Sequence, residues 1–202
     1  MKTKRLFLSC GMLICLFAAT VHAADYYWVG GTGNWSDFST HWATSSGGTV
    51  FHTSVPTLAD NVIFDENSFT GIKQVVTIDV MAECNNFLCT KVKNKPTISS
   101  MSPLTVNGSF QLCTGMVFTT NGQIQFVSNN LNNKINVATD STYIMGMMFN
   151  GAGSWIFESD YLMPPTTGMI QVQQGTVNTN GKNITVSNFM AMAFANDIRY
   201  SI

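Results

Sequence analysis

Histidines and paired carboxylates are the residues of this 202-residue chain whose types could support catalysis. Nucleophilic catalysis needs a nucleophile, a base and an orienting group within reach of one another. His41 and His52 could act as bases, but no G-x-S-x-G motif or suitably placed cysteine accompanies them. Glycoside cleavage needs two facing carboxylates, and the acidic pairs Asp65–Glu66 and Glu158–Asp160 have no basic neighbour in the sequence. The residue types therefore favour solvated turn carboxylates and predict no catalytic residue.

A calcium site is the metal chemistry that the acidic residues could support. Asp60, Asp65 and Glu66 could bind the ion together with backbone carbonyl oxygens, the oxygen ligands that calcium prefers. Their spacing lacks the D-x-[DN]-x-[DN]-G pattern of a calcium loop. Aspartate also accepts hydrogen bonds from its own turn, so Asx turns at Asp60 and Asp65 are the favoured interpretation. We expect no cofactor, with calcium as the alternative.

Three tryptophans lie close together in the segment YYWVGGTGNWSDFSTHW, residues 26–42. Trp28, Trp35 and Trp42 could stack on the apolar faces of a glycan. Large aromatic side chains also cover the exposed end of a hydrophobic core with few residues. We favour the covering role, and glycan binding by these three residues is the alternative hypothesis.

The first 23 residues have the pattern of a secretory signal peptide. Basic residues at the start precede an apolar run, and small residues stand at the cleavage positions Val21 and Ala23. The run is too short for a membrane span, so none is expected after cleavage. Loss of the three basic residues in this segment leaves seven basic against eleven acidic residues, a net charge of −4. This balance argues against nucleic acid as a partner, because nucleic-acid binding requires clustered positive charge.

Cys84, Cys89 and Cys113 remain after the signal peptide. An odd number of cysteines in an exported protein allows one disulfide with a free thiol, or three buried thiols. No C-x-x-C spacing suggests a zinc site. We favour buried, unreactive cysteines over a metal site, and both the bridged and the unbridged arrangement stay open.

Short strands with alternating apolar residues recur along the chain, whereas helical periodicity is nearly absent. VVTIDV predicts Val76, Ile78 and Val80 on one face, and QIQF predicts that Ile124 and Phe126 are buried. Further strands are predicted in PLTV, SFQL, KINV, SWIF, MIQVQ, NITV and IRYSI.

Asn-Gly pairs punctuate these strands at residues 107–108, 121–122, 150–151 and 180–181. Loose self-similarity at a period of roughly 20–30 residues is typical of a solenoid. Asn-Gly between alternating strands is also a hairpin signal, so an antiparallel β-sandwich is the alternative. The polar outward residues can form ladders between coils, and we therefore predict an all-β, parallel β-solenoid. Residues 24–72 are predicted as an aromatic-rich N-terminal cap and residues 73–202 as about five coils, given that period.

The last strand, IRYSI, directs Ile198, Tyr200 and Ile202 to one face, with no capping segment after it. A solenoid that stops there would expose apolar core and unpaired backbone groups. We therefore expect the chain to be truncated or to continue, or to self-associate through its C-terminal coil.

Four segments are spread over most of the chain after the predicted signal peptide: YYWVGGTGNWSDFSTHWATSSGG, VPTLADNVIFDENSF, VVTIDVMAECNNF and the later GTVNTNGKNITVSNF. The first three resemble the start of large exported surface proteins of Gram-negative bacteria that use type IX secretion, and a similar opening begins some autotransporter adhesin passengers. The fourth resembles the repeats that follow in such proteins. The matching positions are Trp28, Gly30, Gly31, Asn34, Trp35, Asp37, Trp42, Pro56, Asp60, Asn61, Phe64, Asp65, Thr77, Asp79, Cys84 and Asn85.

This resemblance implies a β-helical stalk or adhesin-like module, secreted or held at the surface of a Gram-negative cell. Surface glycans or other cell-surface proteins are the implied partners. The expected function is structural or adhesive without catalysis. The alternative is a carbohydrate-binding or polysaccharide-cleaving β-helix.

Overall fold

The computed structural model describes residues 23–138, 142–163, 168–192 and 199–201, with backbone alone for 142–144 and 199–201. The chain is nearly all β, 49% strand and 2% helix, and forms a parallel β-solenoid of about five turns. This confirms the predicted fold class. One short helix, α1 (Phe38–His41), occurs in the described residues. None of the described helical structure is long and apolar enough to cross a membrane.

Three faces make up each coil, and each face is a ladder of parallel strands from successive coils. The first face contains β2 (Gly33–Asn34), β5 (Val75–Ile78), β8 (Thr97–Ser100) and the first parts of β11 (Val117–Phe126) and β13 (Thr142–Phe157). The second contains β6 (Ala82–Cys84), β9 (Leu104–Val106), the end of β11, the middle of β13, the first part of β15 (Met169–Asn178) and β17 (Asn188–Ala191).

The third face begins at the N-terminal end of the described chain. It contains β1 (Asp25–Trp28), β4 (Asn61–Phe64), β7 (Phe87–Cys89), β10 (Phe110–Leu112), β12 (Asn133–Val137), the ends of β13 and β15, and β18 (Arg199–Ser201). A separate pair joins β14 (Tyr161–Leu162) to β16 (Ile184–Thr185). Among the named strands, β1 and β3 (Trp42–Ala43) form the one antiparallel pair. The sandwich alternative is therefore wrong.

Parallel register stacks the inward side chains of successive coils directly on one another. The rings of Phe64 and Phe87 lie 5.2 Å apart, and those of Phe87 and Phe110 lie 5.0 Å apart. On the second face, Phe126 and Phe149 stack in the same way at 4.9 Å. Because alternate residues of a strand point to opposite faces, a single coil cannot cover its own apolar side, and burial requires the next coil.

The predicted alternation is confirmed for most strands and fails where a strand turns a corner. Val76 and Ile78 are buried, as are Ile124 and Phe126. Val80 is 38% exposed, because β5 ends at Ile78 and the chain then leaves the first face. The placement of Val80 on the same face as Val76 is therefore wrong.

The Asn-Gly pairs mark corners and not hairpins. Residues 121–122 lie inside β11 and residues 150–151 inside β13. The strand register shifts at both places, between Thr119 and Gln123 in one case and around Asn150 in the other. The chain therefore bends at these pairs and continues in the same coil direction.

A disulfide joins Cys89 at the end of β7 to Cys113 just after β10, with the two Cα atoms 5.3 Å apart. Parallel pairing of β7 with β10 brings these positions together across adjacent coils. Of the two arrangements that the odd number of cysteines allows, the structure has one disulfide with a free thiol. Cys84 is the free cysteine of the described chain, and burial raises the pKa of its thiol strongly.

The ladder of the third face runs through β1 and β4 into β7 without a break at residue 72. The assignment of residues 24–72 as a separate cap thus stays a prediction. Of the expected apolar face of the last strand, Ile198 and Ile202 lie outside the described residues. The backbone of Tyr200 pairs with that of Val177. Nearly all of the predicted signal peptide lies outside the described residues as well.

Candidate functional site

The three tryptophans form a buried cluster at the N-terminal end of the solenoid, here called the tryptophan cluster. Trp28, Trp35 and Trp42 are each 0% exposed. Trp42 contacts both of the others edge to face, with ring centroids 4.9 Å from Trp28 and 4.8 Å from Trp35. The indole of Trp28 donates a hydrogen bond to the Gly31 carbonyl, and that of Trp42 donates to the Trp35 carbonyl. No ring face is available to a sugar, so glycan stacking on these residues finds no support in their positions.

The two histidines pack against aromatic rings. The His41 ring stacks on Trp28 with centroids 4.5 Å apart, and its Nδ1 lies 2.6 Å from the Val29 carbonyl oxygen. Gly33 makes this position possible, because a Cβ there would lie 2.1 Å from Nε2 of His41. His52 stacks on Tyr26 at 3.5 Å. Both contacts are those of side chains that complete the packing of the tryptophan cluster.

The three residues of the calcium hypothesis are engaged with protein partners. Oδ2 of Asp60 accepts hydrogen bonds from the backbone N–H and hydroxyl of Thr57, and Oδ1 accepts one from the Ala24 N–H. Oδ1 of Asp65 accepts from the Asn67 N–H, which confirms the Asx turn at Asp65. The bonds of Asp60 run to earlier residues and do not form an Asx turn.

Glu66 forms an ion pair with Lys91, 3.4 Å between Nζ and Oε2. Within the described part of the chain, no three His, Cys, Asp or Glu side chains group as metal ligands would. The geometry therefore gives the calcium hypothesis no support, and the hypothesis stays a prediction.

Each acidic pair that could have served glycoside cleavage lies next to a lysine from a neighbouring coil. Besides Glu66 with Lys91, Oε1 of Glu158 lies 2.6 Å from Nζ of Lys134. The sequence expectation that these acids lack a basic neighbour is wrong, because coil stacking joins residues about one repeat apart. Both ion pairs are largely exposed. Exposed pairs contribute little to stability and do not by themselves form a reaction centre.

A groove lies along the corner between the first and second faces. Two successive coils use the same number of residues to turn this corner, because Ser100 pairs with Thr120 before it and Thr105 pairs with Gln125 after it. The next coil turns the same corner with fewer residues. Thr119 pairs with Ile144 and Gln123 with Gly146, so four residue steps in β11 correspond to only two in β13. The shorter corner leaves a recess beside the projecting segment Thr120–Gln123.

Two cavities flank this projecting segment, with volumes of about 300 and 320 Å³. Both are lined by Thr120, Asn121, Gly122 and Gln123. We call the two cavities together the corner groove. Serine, threonine, asparagine, glutamine and methionine supply its functional groups, and none of the described residues that line it is charged. The described lining is therefore open and uncharged, and it contains no acid or base.

Sequence reasoning missed the corner groove because its residues are common types in β-rich proteins. A signal was present in the comparison of TTNGQIQF with IMGMMF, residues 119–126 and 144–149. The two stretches end on the same inward phenylalanine, paired in the structure as Phe126 and Phe149, but the second is two residues shorter. A shortened corner can be recognised in this way once the coils are aligned.

A second surface feature, here called the lysine patch, lies at the corner between the third and first faces. It consists of Lys73, Lys91, Lys93 and Lys95, all exposed. The backbone N–H of Lys73 donates to the Asn94 carbonyl, which places the four residues on adjacent coils. They are four of the seven basic residues that follow the predicted signal peptide. The positive charge is thus concentrated on one edge of an otherwise acidic protein.

Comparisons with known proteins return no relative: no family model, curated protein or solved structure matches the chain. The resemblance to exported surface proteins therefore rests on the sequence motifs alone. Function has to be argued from the contacts, burial and charge of the described residues.

Proposed function

We propose that this protein is an exported β-solenoid module of the cell surface, with a structural and adhesive role and no catalytic activity. The observation that carries this proposal is the in-register ladder of the third face, which runs from β1 to β18. Repeat proteins of this kind extend in one dimension and offer long lateral surfaces for binding. The signal peptide pattern and the resemblance to exported surface proteins support the location.

The electrostatics of the described residues support a binding role over a catalytic one. Perturbed pKa values cluster where enzymes do chemistry. Here they are found at separate places with structural causes. Burial raises the pKa of Tyr27, and it raises that of Cys84 strongly. Burial alone would raise the pKa of Asp79 as well, but hydrogen bonds from Ser36 lower it overall.

Export and the absence of catalysis can be tested on the full chain in a Gram-negative host. We expect a mature N-terminus at Ala24 and digestion of the protein by protease added to intact cells. We also expect increased attachment of the expressing cells to glycan-coated surfaces, without release of reducing ends from polysaccharides. Retention in the cytoplasm would contradict the location. Steady release of reducing ends by the purified protein would contradict the binding role and favour the polysaccharide-cleaving alternative.

A further inference from the structure

We propose that the corner groove binds a neutral oligosaccharide chain that lies along the solenoid axis, across the strands. This inference rests on the proposed function, because a surface glycan is a ligand only for an exported protein. The groove is distinct from the tryptophan cluster, in which sequence reasoning had located the glycan alternative.

The shape of the groove follows from two glycines. At Gly146, an added Cβ would lie 2.8 Å from Cγ of Gln123 and 3.2 Å from the Met169 carbonyl oxygen. The lack of a side chain therefore lets Gln123 extend over the shortened corner. At Gly122, an added Cβ would meet no atom within 4 Å. The projecting segment thus borders open space at Gly122.

The polar groups in the groove have hydrogen-bonding capacity to spare. Nε2 of Gln123 donates to the Met147 carbonyl across 3.5 Å, a long and weak bond. The side chains of Asn121 and Gln125 make no hydrogen bond within the described part of the chain. Each amide offers both donors and acceptors. Sugar hydroxyls require this combination, whereas a carboxylate or phosphate would require positive charge, which no described residue of the groove supplies.

Methionines supply the apolar part of the lining. Met101 and Met148 line one cavity, and Met145 and Met169 line the other. Thioether side chains are flexible and polarizable, so they adapt to irregular apolar surfaces. The C–H faces of a sugar ring are such surfaces. Ligand sites combine apolar contact with a few polar groups that fix orientation, and the corner groove has both.

An extended peptide fits the groove less well than a glycan. Peptides that bind sheets commonly add a strand to a free edge. The flanks of β11 are already paired with β8 and β9 on one side and with β13 on the other. The groove crosses these strands, which repeat about every 4.8 Å. A chain that lies along this direction passes serine hydroxyls in one coil, the amides of the projecting segment in the next and methionines in the coil after that.

Binding can be measured by calorimetry with neutral hexasaccharides of glucose, mannose and xylose as probes. Polygalacturonate and dextran sulfate serve as anionic probes. Gly122→Trp fills the groove from a position with room for a side chain, and a double variant, Gln123→Ala with Gln125→Ala, removes two amides. Gln111→Ala is the matched control, because Gln111 lies on the third face, in β10. Melting temperatures of all variants report whether the fold is retained.

We expect at least one neutral hexasaccharide to bind. Gly122→Trp and the double amide variant should each weaken binding about tenfold or more, as expected for the loss of several neutral hydrogen bonds. Gln111→Ala should bind like the wild type, and the melting temperatures should agree. If Gly122→Trp unfolds, the double amide variant decides the outcome.

The proposal is overturned if no neutral probe binds at millimolar concentration, or if both groove variants bind like the wild type. Binding of the anionic probes alone, lost when Lys73 and Lys93 are changed to Ala, would overturn it in favour of the lysine patch. Failure of the proposed function is separate, since it would appear as cytoplasmic retention in the export experiment whatever the groove binds.

Discussion

The tryptophan cluster has the residue types of a binding site but is buried, whereas the corner groove has ordinary residue types but is accessible. The cluster holds residue types often found in sugar sites, yet its three indoles are wholly buried. The groove holds glutamine, asparagine and glycine, yet Asn121 is exposed and a side chain at Gly122 would meet only open space. Burial and hydrogen-bonding partners, and not residue type, decide which of the two regions can bind a ligand.

The chain path explains the burial of the cluster. After β1 the chain returns in β3, and antiparallel pairing sets Trp28 opposite Trp42. The cluster also contacts the core of the coils, since the Phe64 ring lies 6.1 Å from Trp42. At this end of the ladder the aromatic rings cover apolar surface that no further coil covers within the described residues.

Truncation of a tryptophan in the tryptophan cluster should lower the free energy of unfolding more than any other change proposed here. Trp35→Ala removes a fully buried indole, and such changes cost about 3–5 kcal/mol in the free energy of unfolding. Urea denaturation of the wild type and the variant measures this difference. A cost below about 0.5 kcal/mol, as is usual for surface substitutions, would contradict a structural role of Trp35.

Loss of the disulfide should come next. Cys89 ends β7, which pairs with β4 beside the tryptophan cluster, and Cys113 precedes the projecting segment Thr120–Gln123 in the chain. Removal of a cross-link that closes a loop of this length costs about 3 kcal/mol. We expect this loss in urea denaturation of Cys89→Ser with Cys113→Ser.

Iodoacetamide should leave Cys84 of the native wild type unmodified, because this thiol is buried with a raised pKa. Rapid modification of Cys84 in the native protein would contradict that burial.

A smaller effect distinguishes two members of the cluster. Nε1 of Trp42 donates to the Trp35 carbonyl, whereas Nε1 of Trp35 is buried without an acceptor. Change to Phe removes a satisfied donor in the first case and an unsatisfied one in the second. We therefore expect Trp42→Phe to cost about 1 kcal/mol more than Trp35→Phe. Equal costs in the same denaturation assay would mean that the two indoles have equivalent surroundings.

The smallest expected change in stability concerns the contact of Ser36, next to Trp35, with Asp79, just after β5. The hydroxyl and N–H of Ser36 donate to the carboxylate of Asp79, and these bonds hold the pKa of Asp79 below 3.8. A lowered folded-state pKa adds stability above the unfolded-state pKa, and this gain is lost as the pH falls through the folded-state value. Asp79→Asn should therefore be slightly less stable than the wild type at neutral pH.

The difference between Asp79→Asn and the wild type should shrink as the pH falls below about 3.8, the ordinary aspartate value. Ser36→Ala provides the control, because Asp79→Asn should have little further effect in that background. A stability difference that is independent of pH would exclude the carboxylate as its source.

Sequence patterns predicted what depends on the neighbouring residues of a strand. Alternation identified inward residues such as Ile124 and Phe126, and the repeat spacing indicated a solenoid. Contacts between coils depend on register, which alternation does not define. The pairing of Cys89 with Cys113, the ion pair of Lys134 with Glu158 and the shortened corner at Gly146 were missed for this reason. Each of them joins residues about one coil apart.

The central claim is that the tryptophan cluster stabilises the fold and the corner groove binds the ligand. Melting temperature and hexasaccharide affinity, measured on the same samples of Trp35→Ala and Gly122→Trp, test it most directly. We predict that Trp35→Ala melts at a lower temperature but binds like the wild type while folded, and that Gly122→Trp keeps its melting temperature and loses binding. A Trp35→Ala protein with an unchanged melting temperature and no binding, beside a Gly122→Trp protein that binds normally, would contradict the account.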